Sequence, residues 1–75
     1  MVTRSLRHVE SLTARIEQLG IERELTVSQA LIAGATWSEI GWALGCSAQA
    51  AHKRYRWVRH SDRTGAVWHE PPLTT

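Results

Sequence analysis

A single cysteine, Cys46, excludes an internal disulfide in this 75-residue chain. No Cys/His pair stands at zinc spacing, and His8, His52, His60 and His69 are scattered, so no structural metal is expected. No glycine-rich phosphate loop follows a strand, and no nucleophile has a base at fixed spacing, which leaves an enzyme without candidate residues and implies no cofactor. Long apolar runs are missing as well. Residues 1–19 carry charges throughout, so neither a signal peptide nor a membrane span is read there, and a cytoplasmic setting is expected. Proline is confined to Pro71 and Pro72, glycine is sparse before residue 60, and no alternating strand pattern appears, so the expected class is all-α. A chain this short is near the lower limit for one self-sufficient core, which favours help from a partner chain.

What the chain does contain is concentrated between Thr36 and Trp57. Thr36 or Ser38 can cap a helix that carries Glu39 in its first turn, where a carboxylate suits the positive end of the dipole. Ile40, Ala43 and Leu44 then form an inward stripe, and Gly41 allows close approach of a neighbouring helix. Gly45 can take the left-handed conformation that ends a helix, Cys46 reads as a small buried residue of the turn, and Ser47 can cap the next helix. In that second helix, expected over 47–59, Ala51, Tyr55 and Val58 point inward, leaving Ala48, Gln49, His52, Lys53 and Arg56 outward. Charge follows the same division. Residues 1–35 balance four arginines against four glutamates, whereas residues 36–60 set Lys53, Arg54, Arg56 and Arg59 against Glu39 alone. A surplus of positive charge on one helix suits contact with phosphates, since Lys and Arg release condensed counterions there.

Glu39-Ile40-Gly41, Leu44-Gly45-Cys46-Ser47, Gln49-Ala50-Ala51 and Arg54-Tyr55 together resemble the helix-turn-helix of small bacterial DNA-binding regulators and the related domain of sigma factors. The resemblance spans roughly residues 25–58. It departs at Gly41, where such proteins usually carry alanine, and at Cys46, where they carry valine or isoleucine; both departures suggest a slightly looser turn. The resemblance implies double-stranded DNA as partner, a transcriptional regulator near the nucleoid, and base reading from the first turns of the second helix. Gln49 can pair bidentately with adenine and Ala48 can meet a thymine methyl. Lys53 and Arg56 suit phosphates, and His52 either contacts DNA or is a solvated surface residue. Ser47 caps the helix and leaves neighbouring N–H groups for a phosphate. Arg59 has two readings, a phosphate contact or a cation at the negative end of the helix dipole, and Arg54 is expected to pair with Glu39.

Ahead of this region, Val2, Val9, Leu12, Ile16 and Leu19 recur at steps of three and four, as an interhelical seam would. The repeat then meets Arg23 and Thr26, and a break or kink is expected near Gly20. The chain therefore divides into an N-terminal helix over 1–20, a helix-turn-helix domain over 21–60 and a partly ordered, irregular tail over 61–75. Leu25, Val27, Ala30, Leu31 and Ile32 supply the first helix of a three-helix core, which ends at Gly34-Ala35. The seam either folds back on its own domain or pairs with a second chain through Val9, Leu12, Ile16 and Leu19, and the mechanical advantage of two linked reading helices favours a homodimer. Trp37 and Trp57 read as packing residues, and Trp42 as an outward indole in need of a partner. Val67 and Trp68 are expected to pin the tail, and a wing carrying Arg63 is a further option for it. The rival reading is a protein-interaction module that binds a partner of the transcription machinery through the N-terminal helix and Trp42.

Overall fold

The computed structural model describes residues 2–73 and contains three helices followed by a small antiparallel hairpin: α1 Val2–Ile32, α2 Trp37–Leu44, α3 Ala48–Tyr55, β1 Val58–His60 and β2 Val67–His69. The last two residues of the expected tail, Thr74 and Thr75, lie outside the described residues.

Helix α1 runs unbroken through Gly20, against the expected break. An interior glycine costs only about 1 kcal/mol relative to alanine, and most of the remaining residues in this 31-residue helix are tolerant of helical geometry. Nothing in the chain needs the missing side chain either, because a methyl at Gly20 would meet no atom within 4 Å. The helix is about 46 Å long at 1.5 Å per residue, and it sets the longest dimension of the molecule, 48 Å. Only its C-terminal part joins the core, through buried Val27 and Ser28. The boundary expected at residue 20 is therefore absent from the backbone, and the upstream seam does not fold back: residues 2–19 are exposed throughout.

Two glycine-terminated helix ends place the core elements. The left-handed Gly34 (φ 103°) ends α1 as expected, with the Gly34 N–H donating to Leu31 and the Ala35 N–H to Ala30. Gly45 (φ 77°) ends α2, its N–H donating to the Trp42 carbonyl at 3.2 Å while Cys46 N–H reaches Gly41 at 2.8 Å. Both bond pairs satisfy carbonyls that a helix end would otherwise leave open. Thr36 and Glu39 start α2 reciprocally: Thr36 Oγ1 accepts from Glu39 N–H at 3.1 Å, and Glu39 Oε1 accepts from Thr36 N–H at 2.9 Å. The backbone hydrogen bond from Thr36, with the Thr36 hydroxyl second, holds the Glu39 carboxyl below the ordinary glutamate range. A lowered carboxylate stabilises above its unfolded value, and the contribution disappears as pH falls through the folded value. Thermal melts should accordingly show any advantage of the wild type over Glu39→Gln shrinking as pH drops from about 6 to about 3; a difference that grows toward acid would contradict this role.

Gly41 corrects the expectation of a looser turn. A methyl there would lie 2.8 Å from the carbonyl oxygens of both Cys46 and Ser47 and 2.9 Å from the Ser47 carbonyl carbon, so α2 and the turn meet backbone to backbone. With those carbonyls filling the space, Cys46 is exposed rather than a buried turn residue. The same substitution is expected to have opposite signs at two glycines. Gly20→Ala should stabilise by about 0.5–1 kcal/mol, and Gly41→Ala should destabilise by about 1–3 kcal/mol because backbone must move. Denaturant titration of the two variants checks both signs.

Helix α3 begins at its cap Ser47, whose Oγ accepts from Ala50 N–H at 3.1 Å, but stops at Tyr55, short of the expected residue 59. Val58 leaves helical geometry to become a core residue of β1, and the chain returns through β2 with Val58 opposite His69, Arg59 opposite Trp68 and His60 opposite Val67. The all-α class and the irregular tail are corrected to this extent: the chain is mostly helical with a two-stranded sheet. Gly65 (φ 73°) closes the connection, its N–H donating to Ser61 at 2.7 Å. Val27, Ile40, Ala51, Tyr55 and Val58 form the buried core, flanked by Ala30, Leu31, Ala35, Trp37, Leu44 and Val67. Ala43 and Ile32, expected inward, are exposed; of the two residues expected to pin the tail, Val67 packs against the core and Trp68 is exposed.

Candidate nucleic-acid interface

Burial of Ala51 and Tyr55 fixes the rotation of α3, and that rotation decides which side chains face out. At 100° per residue, Gln49, Lys53 and Arg56 fall within about 60° of one another on the opposite side. All three are exposed, and Ala48 is half-buried at the rim. His52 borders this stripe and packs against Trp37, ring centroids 5.1 Å apart and edge to face. The contact fixes the imidazole beside the stripe and gives Trp37 the packing role expected of it.

The cations are not equivalent. Arg59 turns back, its Nη1 donating to the carbonyls of Arg56 at 3.2 Å and Val58 at 2.8 Å. These bonds hold a positive group beside the C-terminus of α3, where it suits the helix dipole. Arg54 does not pair with Glu39, whose carboxylate is engaged by Thr36; its guanidinium lies over the neighbouring Tyr55 ring, 5.3 Å from the centroid. Arg56 lies 5.0 Å from the centroid of the Trp57 ring, an aromatic support that leaves its donors available. Among the described residues, the ion-pair contacts of carboxylates are with histidines, so Lys53 and Arg56 face solvent without a neutralising partner. Arg63 sits exposed in the connection between β1 and β2.

A Ser28–His60–Asp62 relay was invisible in the sequence. His60 Nδ1 lies 2.7 Å from Ser28 Oγ and its Nε2 lies 2.8 Å from Asp62 Oδ1. The three residue types are those of a nucleophile, a base and an orienting carboxylate, but the accessibility is wrong for catalysis. Ser28 is 3% exposed, with its hydroxyl enclosed between α1 and the hairpin, so an attacking oxygen has no room for a substrate. The relay ties the hairpin to α1 and satisfies the polar side chain that α1 buries. His69 adds a second tie, its Nε2 3.5 Å from Glu24 of the same helix. No local pattern marks Ser28, because its partner lies 32 residues away.

Two shallow grooves follow one side of α1. The first is lined by Ile16, Leu19, Gly20, Glu22, Arg23 and Thr26. The second runs between α1 and α2, where Val27 and Ala30 meet Ile40, Ala43 and Leu44, and it shares Arg23 and Thr26 with the first. Trp42 points away from both and is 89% exposed, docking on neither α1 nor the hairpin. Among the described residues, no helix is long and apolar enough to cross a membrane, and no three His, Cys, Asp or Glu side chains gather as a metal site would require. No protein-family model matches the chain, and neither a curated protein nor a solved structure matches it significantly.

Proposed function

We propose that the chain is a helix-turn-helix DNA-binding protein, a transcriptional regulator whose α3 enters the major groove and whose β1–β2 hairpin forms a short wing. The observation that carries this reading is the outward stripe of Gln49, Lys53 and Arg56, opposite a helix face fixed by buried Ala51 and Tyr55. Lys53 and Arg56 take phosphates, which set register and orientation but carry no sequence information. Gln49, one turn nearer the N-terminus, is placed to read a base edge, with Ala48 beside it for a thymine methyl. Ser47 holds the first turn through its cap, and His52, braced by Trp37, extends the stripe. Arg59 braces the end of α3 beside this stripe. Arg63 gives the wing one cation for the adjacent backbone. The protein acts as a homodimer in the cytoplasm, at the nucleoid.

A fluorescence-anisotropy titration of a labelled random duplex tests this. With two to three phosphate contacts on each of the dimer's two reading helices, affinity should fall roughly 150- to 2,000-fold between about 50 and 200 mM salt. A flat response, or no binding by folded protein at low salt, overturns the proposal. The second reading, docking of a protein partner, is favoured by one specific observation, the 89% exposure of Trp42; it requires an apolar interface whose affinity scarcely depends on salt.

A further inference from the structure

We infer that the exposed stripe of α1 pairs with α1 of a second copy in antiparallel orientation, and that the second copy's N-terminal turns enter the groove between α1 and α2. The inference deepens the homodimer reading above and does not depend on DNA being the ligand.

Four observations lead there. The apolar residues Val2, Leu6, Val9, Leu12, Ile16 and Leu19 are all exposed along the N-terminal half of α1, which packs on nothing in its own chain. Their line continues into the two grooves, so one apolar track runs from Val2 to Ile40, Ala43 and Leu44. Thr13 and Thr26 donate their hydroxyls to the carbonyls of Val9 and Glu22, both at 2.8 Å, and bring no unsatisfied donor to the track. Charge is the fourth observation, because it separates the possible pairings.

In a parallel pair, Arg23 would face its own copy within the seam, and the groove between α1 and α2 would stay empty. In an antiparallel pair, Ile16 of each chain meets Leu19 of the other, the two Arg23 side chains are kept apart, each at the groove edge opposite Leu12, and Arg15 flanks the seam opposite Glu22 of the other chain, twice by symmetry. Among the described residues, the Glu22 carboxylate otherwise accepts from the Gln18 amide, at 3.5 Å. Moving the antiparallel register by one heptad would bring Arg15 against Arg15, so charge selects the first register. In that register, Val9 lies opposite Thr26 and Leu6 opposite Gln29, so that both reach the groove lined by Val27, Ala30, Ile40, Ala43 and Leu44. The two-fold axis crosses α1 between residues 17 and 18. Two cores centred near Ser28 are then roughly 30–35 Å apart along the helix, close to the spacing of successive major grooves on one face of a duplex.

Pulsed dipolar spectroscopy tests the arrangement on the full chain without DNA. In a Cys46→Ser background, spin labels are placed singly at Arg7→Cys, Ala14→Cys and Ile21→Cys, all exposed and on the side of α1 away from the seam. The axial offset between the two copies is about 10 Å at positions 14 and 21 and about 30 Å at position 7. The expected result is matching distances at 14 and 21 and a distance longer by about 10 Å at 7, once the lateral separation of the labels is included. Equal distances at all three positions mean a parallel pair, and absence of dipolar coupling means a monomer; either overturns the inference. Retained salt-sensitive duplex binding alongside such a failure would leave the DNA reading standing, and the reverse outcome would leave the dimer standing.

Discussion

Tyr55→Ala is expected to leave the chain without a cooperative thermal transition at 25 °C. Tyr55 is 2% exposed and joins Val27, Ile40, Ala51 and Val58 in the buried core, where it is the largest member. Truncating a buried aromatic side chain typically costs about 3–5 kcal/mol, through lost burial and the cavity left behind. A core of this size rarely supplies more than about 3–5 kcal/mol in total, so the loss consumes the margin. Circular dichroism should report residual helix from α1, which does not need this core upstream of residue 24, together with loss of α2 and α3. Tyr55→Phe, which keeps the ring, should melt near the wild type. A Tyr55→Ala protein that melts cooperatively within a few degrees of the wild type would mean that the packing of α3 does not depend on this residue, and the rotation that exposes Gln49, Lys53 and Arg56 would lose its basis.

The parts of this fold that were legible in the sequence are those specified by neighbours along the chain. Thr36 with Glu39 and Ser47 with Ala50 are local caps, Gly34 and Gly45 are local stops, and the stripe Ala51, Tyr55, Val58 follows from spacing alone. Illegible were the features decided across space. The three-residue strands are too short to display alternation, and Val58 fits either an extended helical stripe or a strand until the hairpin is seen. Cys46 turned outward because Gly41 lets the turn settle onto α2, a contact that neither residue reveals alone. Gly20 reads locally as a break, but its penalty is small compared with the cooperative gain of continuing a long helix. Within the candidate site, spacing identified the outward stripe, but the selection of Arg59 for helix capping depended on the chain bending into β1.

Lys53→Ala/Arg56→Ala should bind every duplex less well, by on the order of 100-fold at about 0.1 M salt, and the slope of log affinity against log salt should fall by about 2 per reading helix. Both side chains are exposed and neither forms an ion pair among the described residues, so their removal should leave stability within about 0.5 kcal/mol of the wild type. Loss of binding with an unchanged melt would therefore report the interface and not the fold. Gln49→Ala supplies the contrast. It removes no charge, so random-duplex affinity and salt slope should persist, while discrimination at a selected site drops by about 1–3 kcal/mol for the base it reads. Arg59→Ala separates the helix-capping reading from the phosphate reading: as a cap on the Arg56 and Val58 carbonyls it should lower the melting temperature and leave the salt slope of the folded protein intact. If instead Arg59→Ala lowers the slope and the double variant does not, the docking face lies around the hairpin, and α3 is only its support.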